Sequence, residues 1–249
     1  MRLFGTSKGK SSAHINVAPP VAEVAEVRTL TLIPMYAELL EQLNATAADN
    51  AVRCVVLTGG TRAFSGRSES WESHDAQEES RDTRVAGRSM NTADLLHIEL
   101  MERLSSMPVP LIAAVRGRVS GIGMSIALNC DLVIAAKSAT FSQPFGGVGG
   151  RSGTGTTWLL PRLIGRARAV GWTLLGQTLT AEDAVRIGLI LACYPGKGLE
   201  IVLGSVAQRL AGISSETAVA TRKAMDAALT LSLRDAMIAE ASIQNEPPF

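Results

Sequence analysis

The chain has 249 residues, enough to bury a full core in one large domain. With 46% hydrophobic and 19% charged residues its composition is globular; a disordered chain carries less apolar residue and more charge. Lys plus Arg number 24 against 23 Asp plus Glu, a formal net charge of +1, so no general electrostatic footprint for nucleic acid or an anionic membrane is present, although a local basic pocket is not excluded. Cys54, Cys130 and Cys193 lack zinc-site spacing and read as small buried hydrophobes of a reducing cytosol. No stretch approaches the ~20 apolar residues of a membrane span. A cytoplasmic protein without metal or redox cofactor is expected.

Residues 1–12, basic and rich in Gly and Ser, suit a frayed arm. His14 to Val17 fits a short strand halted by Pro19-Pro20, and Val21 to Val27 fits a helix face or a strand equally. From Pro34, the spacing of Met35, Leu39, Leu40 and Leu43 predicts an amphipathic helix ending near Asn44. Val52 to Thr58 is a continuous apolar run closed by Gly59-Gly60, the pattern of a strand buried on both faces. Thr61 to Arg88 is polar and too long for an ordinary connection, which makes it a functional loop or a lid. Leu95, Leu96, Leu100 and Leu104 restore a helical period, stopped by Pro108 and Pro110.

Leu111 to Val115 then reads as a strand, Gly117 to Gly123 as a glycine turn, Met124 to Leu128 as a helix and Asp131 to Ala136 as another buried strand. That alternation is an α/β crossover unit. A second Gly-rich stretch, Gly146 to Gly155, opens into helices at Arg166 to Leu175 and Thr180 to Ile187, with Thr180 and Asp183 spaced as a capping box. Further helices are expected over Leu199 to Ala211, Ser215 to Leu229 and Leu233 to Ile243. The organisation expected is an arm over 1–12, an α/β core over 13–195 and a helical region over 196–249.

Two segments carry chemistry. In Gly117 to Gly123 (GRVSGIG), glycines that end a strand and open a helix leave unpaired N–H groups, a hole for an oxyanion or phosphate. A tight turn needing glycine explains the same spacing equally well. No acidic residue stands at the distance a dinucleotide fingerprint needs. Ala63 to Trp71 (AFSGRSESW) follows the buried strand, where a second turn has room to aim its N–H groups at the same point.

At these residues the chain resembles the crotonase (enoyl-CoA hydratase/isomerase) superfamily. The resemblance runs through Asp49, Val52, Arg53 and the VVLTG run, Leu111 to Ala136, Ser138 to Phe141 and Leu160 to Leu189, spanning about residues 35–240. It implies a crotonase-like fold of repeated ββα units with a helical C-terminal trimerisation region, a homotrimer or hexamer, and an acyl-CoA thioester as substrate rather than a bound cofactor. It also implies a backbone oxyanion hole polarising the thioester carbonyl. Laid on AFSGRSE without a gap, one donor is Ser68 N–H; in Gly121-Ile122-Gly123 the other is Ile122 N–H. Phe64, Arg67, Gly121, Gly123, Ser125 and Phe145 make up the implied substrate-contacting set.

The family's carboxylate positions hold other residues here: Ser125, Phe145 and Gly153. Water addition needs a base and an acid, so weak hydration is expected, with Glu69, Glu72 and His74, near Asp75, as substitute acid/base candidates. A solvated polar loop is the plainer reading of those residues. His97 reads as a buried helix histidine, Trp71, Trp158 and Trp172 as packing residues, and Arg67, Arg222 and Lys223 as basic residues within reach of CoA phosphates or ordinary surface charges. The opening hairpin survives only as a trace in Arg28 to Met35, and the last helix before the family's tail is missing. Three readings follow: an acyl-CoA enzyme of hydratase/isomerase type, a non-catalytic crotonase-fold subunit that binds acyl-CoA or assembles with others, and a carbon–carbon bond hydrolase centred on His74.

Overall fold

The computed structural model describes residues 25–32, 36–60, 63–64, 83–85, 88–90, 92–143 and 154–244. Its centre is a five-stranded parallel sheet of β1 (Glu26–Thr31), β2 (Val52–Thr58), β5 (Leu111–Val115), β7 (Leu132–Ala136) and β10 (Ala192–Tyr194), ordered β1-β2-β5-β7-β10. The apolar run of β2 is explained by its two neighbours and two covered faces. Val55 and Leu57 enter one core, whereas Cys54 and Val56 enter the other, because successive side chains of a strand point to opposite faces. Ala113 and Val115 of β5 repeat the first side, Ile112 and Ala114 the second.

On the first face lie α1 (Tyr36–Ala48), α2 (Thr92–Ser105), α3 (Gly121–Leu128), α4 (Thr156–Ile164) and α5 (Arg166–Leu175). The second face is covered by α7 (Gly196–Ala211) through Leu199, Leu203, Val206, Ala207 and Ala211. At roughly 1.5–3 kcal/mol for each large apolar side chain taken from water, these contacts dominate the favourable side of folding. A second sheet joins β6 (Arg118–Ser120), β8 (Thr140–Ser142) and β9 (Thr178–Thr180), and a short hairpin joins β3 (Thr83–Val85) to β4 (Arg88–Met90). The helix α6 (Ala181–Arg186) starts on the expected cap, Thr180 Oγ1 accepting from Asp183 N–H at 3.1 Å.

Three expectations are corrected. The GRVSGIG segment is not one glycine turn: Gly117 turns at φ 67°, Arg118–Ser120 forms β6, and Gly121 at φ 52° opens α3 directly. Three residues pairing with β8 were too short a strand to show a period. The first helix runs past Asn44 to Ala48, because Ala favours helix and buried Thr46 continues the stripe of Tyr36, Leu39, Leu40 and Leu43. The stretch from Thr61 to Arg88 is not wholly loop, since it holds β3 and the start of β4. The ambiguous Val27 lies in β1, paired in parallel with Cys54. His14 to Val17 lies outside the described residues.

The remaining helices, α8 (Ser215–Ala228) and α9 (Leu233–Gln244), bury no residue of α8 itself. What ties α8 to the body is Arg222. Its Nε and Nη2 donate to the two oxygens of Asp131 at 2.7 Å each, and Nη1 donates to the Met107 carbonyl at 2.7 Å. Asp131 in turn accepts from Leu111 N–H at 2.7 Å, fixing the start of β5. Of the two sequence readings of Arg222, phosphate contact or ordinary surface charge, neither foresaw this role: its planar fork is engaged within the chain, a geometry Lys cannot reproduce.

At the other end of β2, the chain doubles back so tightly that a Cβ on Gly59 would meet the Phe64 carbonyl oxygen at 1.9 Å. Two outcomes are expected. Arg222→Ala should lower stability by about 2–4 kcal/mol in urea unfolding, with Arg222→Lys restoring only part, because the carboxylate and three carbonyls lose their donor. Gly59→Ala should cost about 2–3 kcal/mol in the same assay, since backbone rather than a yielding side chain occupies the space.

Candidate functional site

Helix α3 is apolar all round, every residue from Ile122 to Leu128 being buried, as befits a helix inside the core. Its N-terminus is the exception to that apolar character. Ser120, extended at φ −159° and ψ 165°, makes no side-chain capping bond. The first-turn N–H groups, Ile122's among them, have no intrahelical acceptor. Together with the partial positive charge of a helix N-terminus they form an anion-attracting end. Gly121 and Gly123 flank Ile122, which is 6% exposed. Ser125 is fully buried one turn on, its hydroxyl donating to the Ile122 carbonyl at 2.8 Å.

The segment leaving β2 is brought to the same place by backbone pairing. Phe64 N–H donates to the Arg118 carbonyl at 2.9 Å, and Ala63 forms a parallel bridge with Arg118. Phe64 is 1% exposed and its ring belongs to the first core. Ala63 and Phe64, the described start of the second segment, therefore run beside Arg118, three residues short of Gly121. Arg67, Ser68, Glu69, Glu72, His74, Phe145 and Gly153 lie outside the described residues, as does Trp71.

Close to the start of α4 lies a buried polar cluster not foreseen as a unit. His97 Nε2 stands 3.2 Å from the Thr154 carbonyl, Thr154 Oγ1 is 3.0 Å from Thr156 Oγ1, and Gln143 Nε2 donates to Thr156 Oγ1 at 2.9 Å. His97, Gln143 and Thr156 are each at most 5% exposed. Burial holds His97 below the ordinary histidine range, against a smaller opposing pull from the Thr154 carbonyl and Asp94. Spacing carried no signal for this cluster, because its members come from a helix, a strand end and a helix start far apart in sequence.

Elsewhere, burial pushes the Cys54 thiol up to about 12 and the Cys130 thiol higher still, so neither is a nucleophile at neutral pH. Trp172 is fully buried and donates to the Gln177 carbonyl at 2.6 Å, whereas Trp158 is 52% exposed beneath the Arg162 guanidinium at 3.9 Å. An apolar cleft of about 640 Å³ opens between α4 and α8, lined by Trp158, Leu163, Leu210, Ile213, Met225 and Leu229. Among the described residues there is no cluster of three or more His, Cys, Asp or Glu side chains placed for a metal, and no helix long and apolar enough to cross a membrane.

Residues 30–248 match the family model described as enoyl-CoA hydratase/isomerase. A probable enoyl-CoA hydratase of Rhodobacter capsulatus is 35% identical over 202 residues, 80% of this chain and 74% of that protein. A 1,2-epoxyphenylacetyl-CoA isomerase of Escherichia coli is 36% identical over 178 residues, 71% of this chain and 66% of its own length. Among solved structures, an enoyl-CoA hydratase from Bacillus anthracis superposes with a TM-score of 0.76 at 25% identity, covering 92% of this chain and 89% of that one. A monofunctional enoyl-CoA isomerase from Mycobacterium smegmatis does so with a TM-score of 0.67 at 30% identity, covering 85% and 93%. With its parallel sheet, its buried α3 and the flanking helices, the chain has the crotonase-like fold and belongs to the enoyl-CoA hydratase/isomerase family.

Proposed function

We propose that the protein is an acyl-CoA thioester-processing enzyme that stabilises a thioester enolate between two backbone N–H groups, those of Ser68 and Ile122. The observation that carries this is the pairing of Phe64 N–H with the Arg118 carbonyl beside an uncapped α3 N-terminus. It brings the chain entering Ser65 to Glu69 alongside the helix end that presents Ile122. Two donors on one carbonyl oxygen lower the barrier to enolate formation most where water is excluded and the donors are fixed before the reaction. Phe64, Gly121 and Gly123 shape that hole by bulk and by lack of it, and Arg67 is proposed as a substrate contact.

Standard hydration is proposed to be weak. Of the three positions where the family resemblance implies a carboxylate, Ser125 carries a hydroxyl already donated to the Ile122 carbonyl, Phe145 is apolar and Gly153 has no side chain. Proton transfer then falls to Glu69, Glu72 or His74. The names of the two relatives, one a hydratase and one an isomerase, are compatible with an isomerising reaction that passes through the same enolate. Buried reduced thiols at Cys54 and Cys130 support a cytoplasmic setting.

The enzyme is further proposed to work as a homotrimer or hexamer. Helices α8 and α9 and the turn after α8 present Met225, Leu229, Leu233, Met237 and Ile238, each more than half exposed, and the first two of these also line the apolar cleft. Apolar surface of this extent on neighbouring helices suits a subunit contact.

Three measurements test these points. In D₂O, α-proton exchange of butyryl-CoA should be catalysed by the wild type and fall ~10²–10³-fold in Ile122→Pro, which removes one donor where a helix tolerates proline. Absence of both exchange and acyl-CoA binding in the wild type would favour the non-catalytic subunit instead. Hydration of crotonyl-CoA should run below ordinary hydratase turnover by about 10²–10⁴ for each missing acid or base, less if they act as a unit; ordinary turnover would refute the vacancy argument. Light scattering at micromolar concentration should return three or six copies, and a monomer would overturn the assembly.

A further inference from the structure

The hydrogen bond of His97 fixes its chemistry. A carbonyl oxygen only accepts, so the ring nitrogen 3.2 Å from Thr154 O carries a proton. The other nitrogen, Nδ1, is buried and has no hydrogen-bond partner. In the neutral ring Nδ1 holds a lone pair; in the cation it becomes a second donor with nothing to accept it. The Tyr36 ring lies against the imidazole, centroids 5.4 Å apart and tilted by 59°, and closes that side with apolar surface.

Among the described residues, the charged and titratable groups on the elements packed near the ring are few. Asp94 stands three residues earlier on the same helix and is the charged group whose field reaches it. From α1 come Tyr36, Glu38 and Glu41, of which Tyr36 makes the ring contact. Helix α3 carries no ionisable side chain, and the start of α4 offers the hydroxyls of Thr154 and Thr156. Nothing among the described residues is placed to receive a proton from Nδ1.

We infer that His97 is a positioning residue for the start of α4: as the neutral Nε2–H tautomer it holds the Thr154 carbonyl, and protonation of its ring unseats it and loosens that helix start. The consequence is directed at the site, because Thr154 Oγ1 bonds Thr156 Oγ1, which in turn accepts from Gln143 at the end of β8, and β8 pairs with β6 directly before Gly121. A buried histidine in this family of geometries thus sets how firmly the acyl-CoA site is framed as pH falls. The sign follows from linkage. The folded-state value lies below the ordinary one, so between the two the unfolded or opened state binds more protons. The anchoring is therefore complete above about pH 6.5, the ordinary histidine value, and is lost as pH falls through the folded value.

The inference rests on the proposed site only for its consequence, and its test needs no substrate. Long-range ¹⁵N–¹H correlation spectra of the full chain, with His97→Gln used to assign the signal among three histidines, should show the Nε2–H tautomer at pH 7.5 and a midpoint below the ordinary histidine range. Amide exchange across residues 154–158, corrected for its intrinsic pH dependence, should then accelerate by up to about tenfold per pH unit on acidification from about pH 6.5 down to that midpoint, and level off below it. His97→Gln, which keeps a donor but no titration, should remove the pH dependence. His97→Leu, which keeps the packing on Tyr36, should show fast exchange at all pH values, and serves where the Gln variant does not fold. An Nδ1–H tautomer, a midpoint at or above the ordinary value, or equal pH dependence in the variants would overturn the inference. Failure of acyl-CoA turnover would touch none of these readouts.

Discussion

The hydrogen bond from Phe64 N–H to the Arg118 carbonyl is the contact on which the placing of the site depends. Strand β2 is buried on both faces, so the chain can leave it only by a turn that takes up almost no room. Gly59 supplies that turn, its hydrogen standing where any side chain would collide with the Phe64 backbone. Phe64 then drives its ring into the first core and spends its amide on Arg118. Burial of the ring makes the amide bond obligatory, since an unpaired N–H so close to the core costs about 1–3 kcal/mol. The position of Phe64 is thus settled by core packing and backbone pairing.

A second anchor acts at the far end of the same unit. Asp131 opens β7, accepts from Leu111 N–H at the start of β5, and takes both arms of the Arg222 fork. One carboxylate therefore fixes two central strands relative to each other and holds α8 on the body. Neither partner is wholly withdrawn from water, with side chains 15% and 28% exposed, so the desolvation penalty stays moderate while the hydrogen bonds keep their direction. Because α8 buries nothing of its own, it stands or falls with this pair. The apolar cleft beneath it and the exposed Met225 and Leu229 are what remains when a helix is held by one polar clamp rather than by packing.

Much of this architecture was legible because burial writes itself into short apolar runs. VRCVVLT and LIAAV gave their strands to the residue, since a strand covered on both faces leaves no polar position to blur its ends. Thr180 and Asp183 gave away a helix start by a local bond that needs no tertiary context. What stayed hidden was long-range or polar. The β6 strand is three residues flanked by glycines with positive φ, too short for alternation to register. The engagement of Arg222 depends on carbonyls more than a hundred residues away. The Gln143–Thr156–Thr154–His97 cluster is made of residue types that occur equally often in solvated loops. Recognition of the GIG and AFSG segments came from resemblance to a family, and the placing of Ala63 and Phe64 beside Arg118 from their backbone pairing; neither was deducible from glycine spacing.

The two kinds of functional group in this site answer differently to sequence change. A donor taken from the backbone survives any side-chain replacement that leaves φ and ψ alone, so the side chain at position 122 costs the proposed hole nothing where the chain is held by Gly121 on one side and a buried α3 on the other. An acid or base acts through its side chain, and Ser125 has none to offer the proposed site: at zero exposure it donates its proton to the Ile122 carbonyl within the helix. A site can therefore keep its electrostatic frame while its proton-transfer groups change or move to another segment. The frame is specified by Gly59, Phe64, Arg118 and the uncapped end of α3, all of which the core already requires. Retaining it carries no separate cost in stability, which under the proposed function lets a fold of this kind keep enolate stabilisation while the reaction built upon it varies.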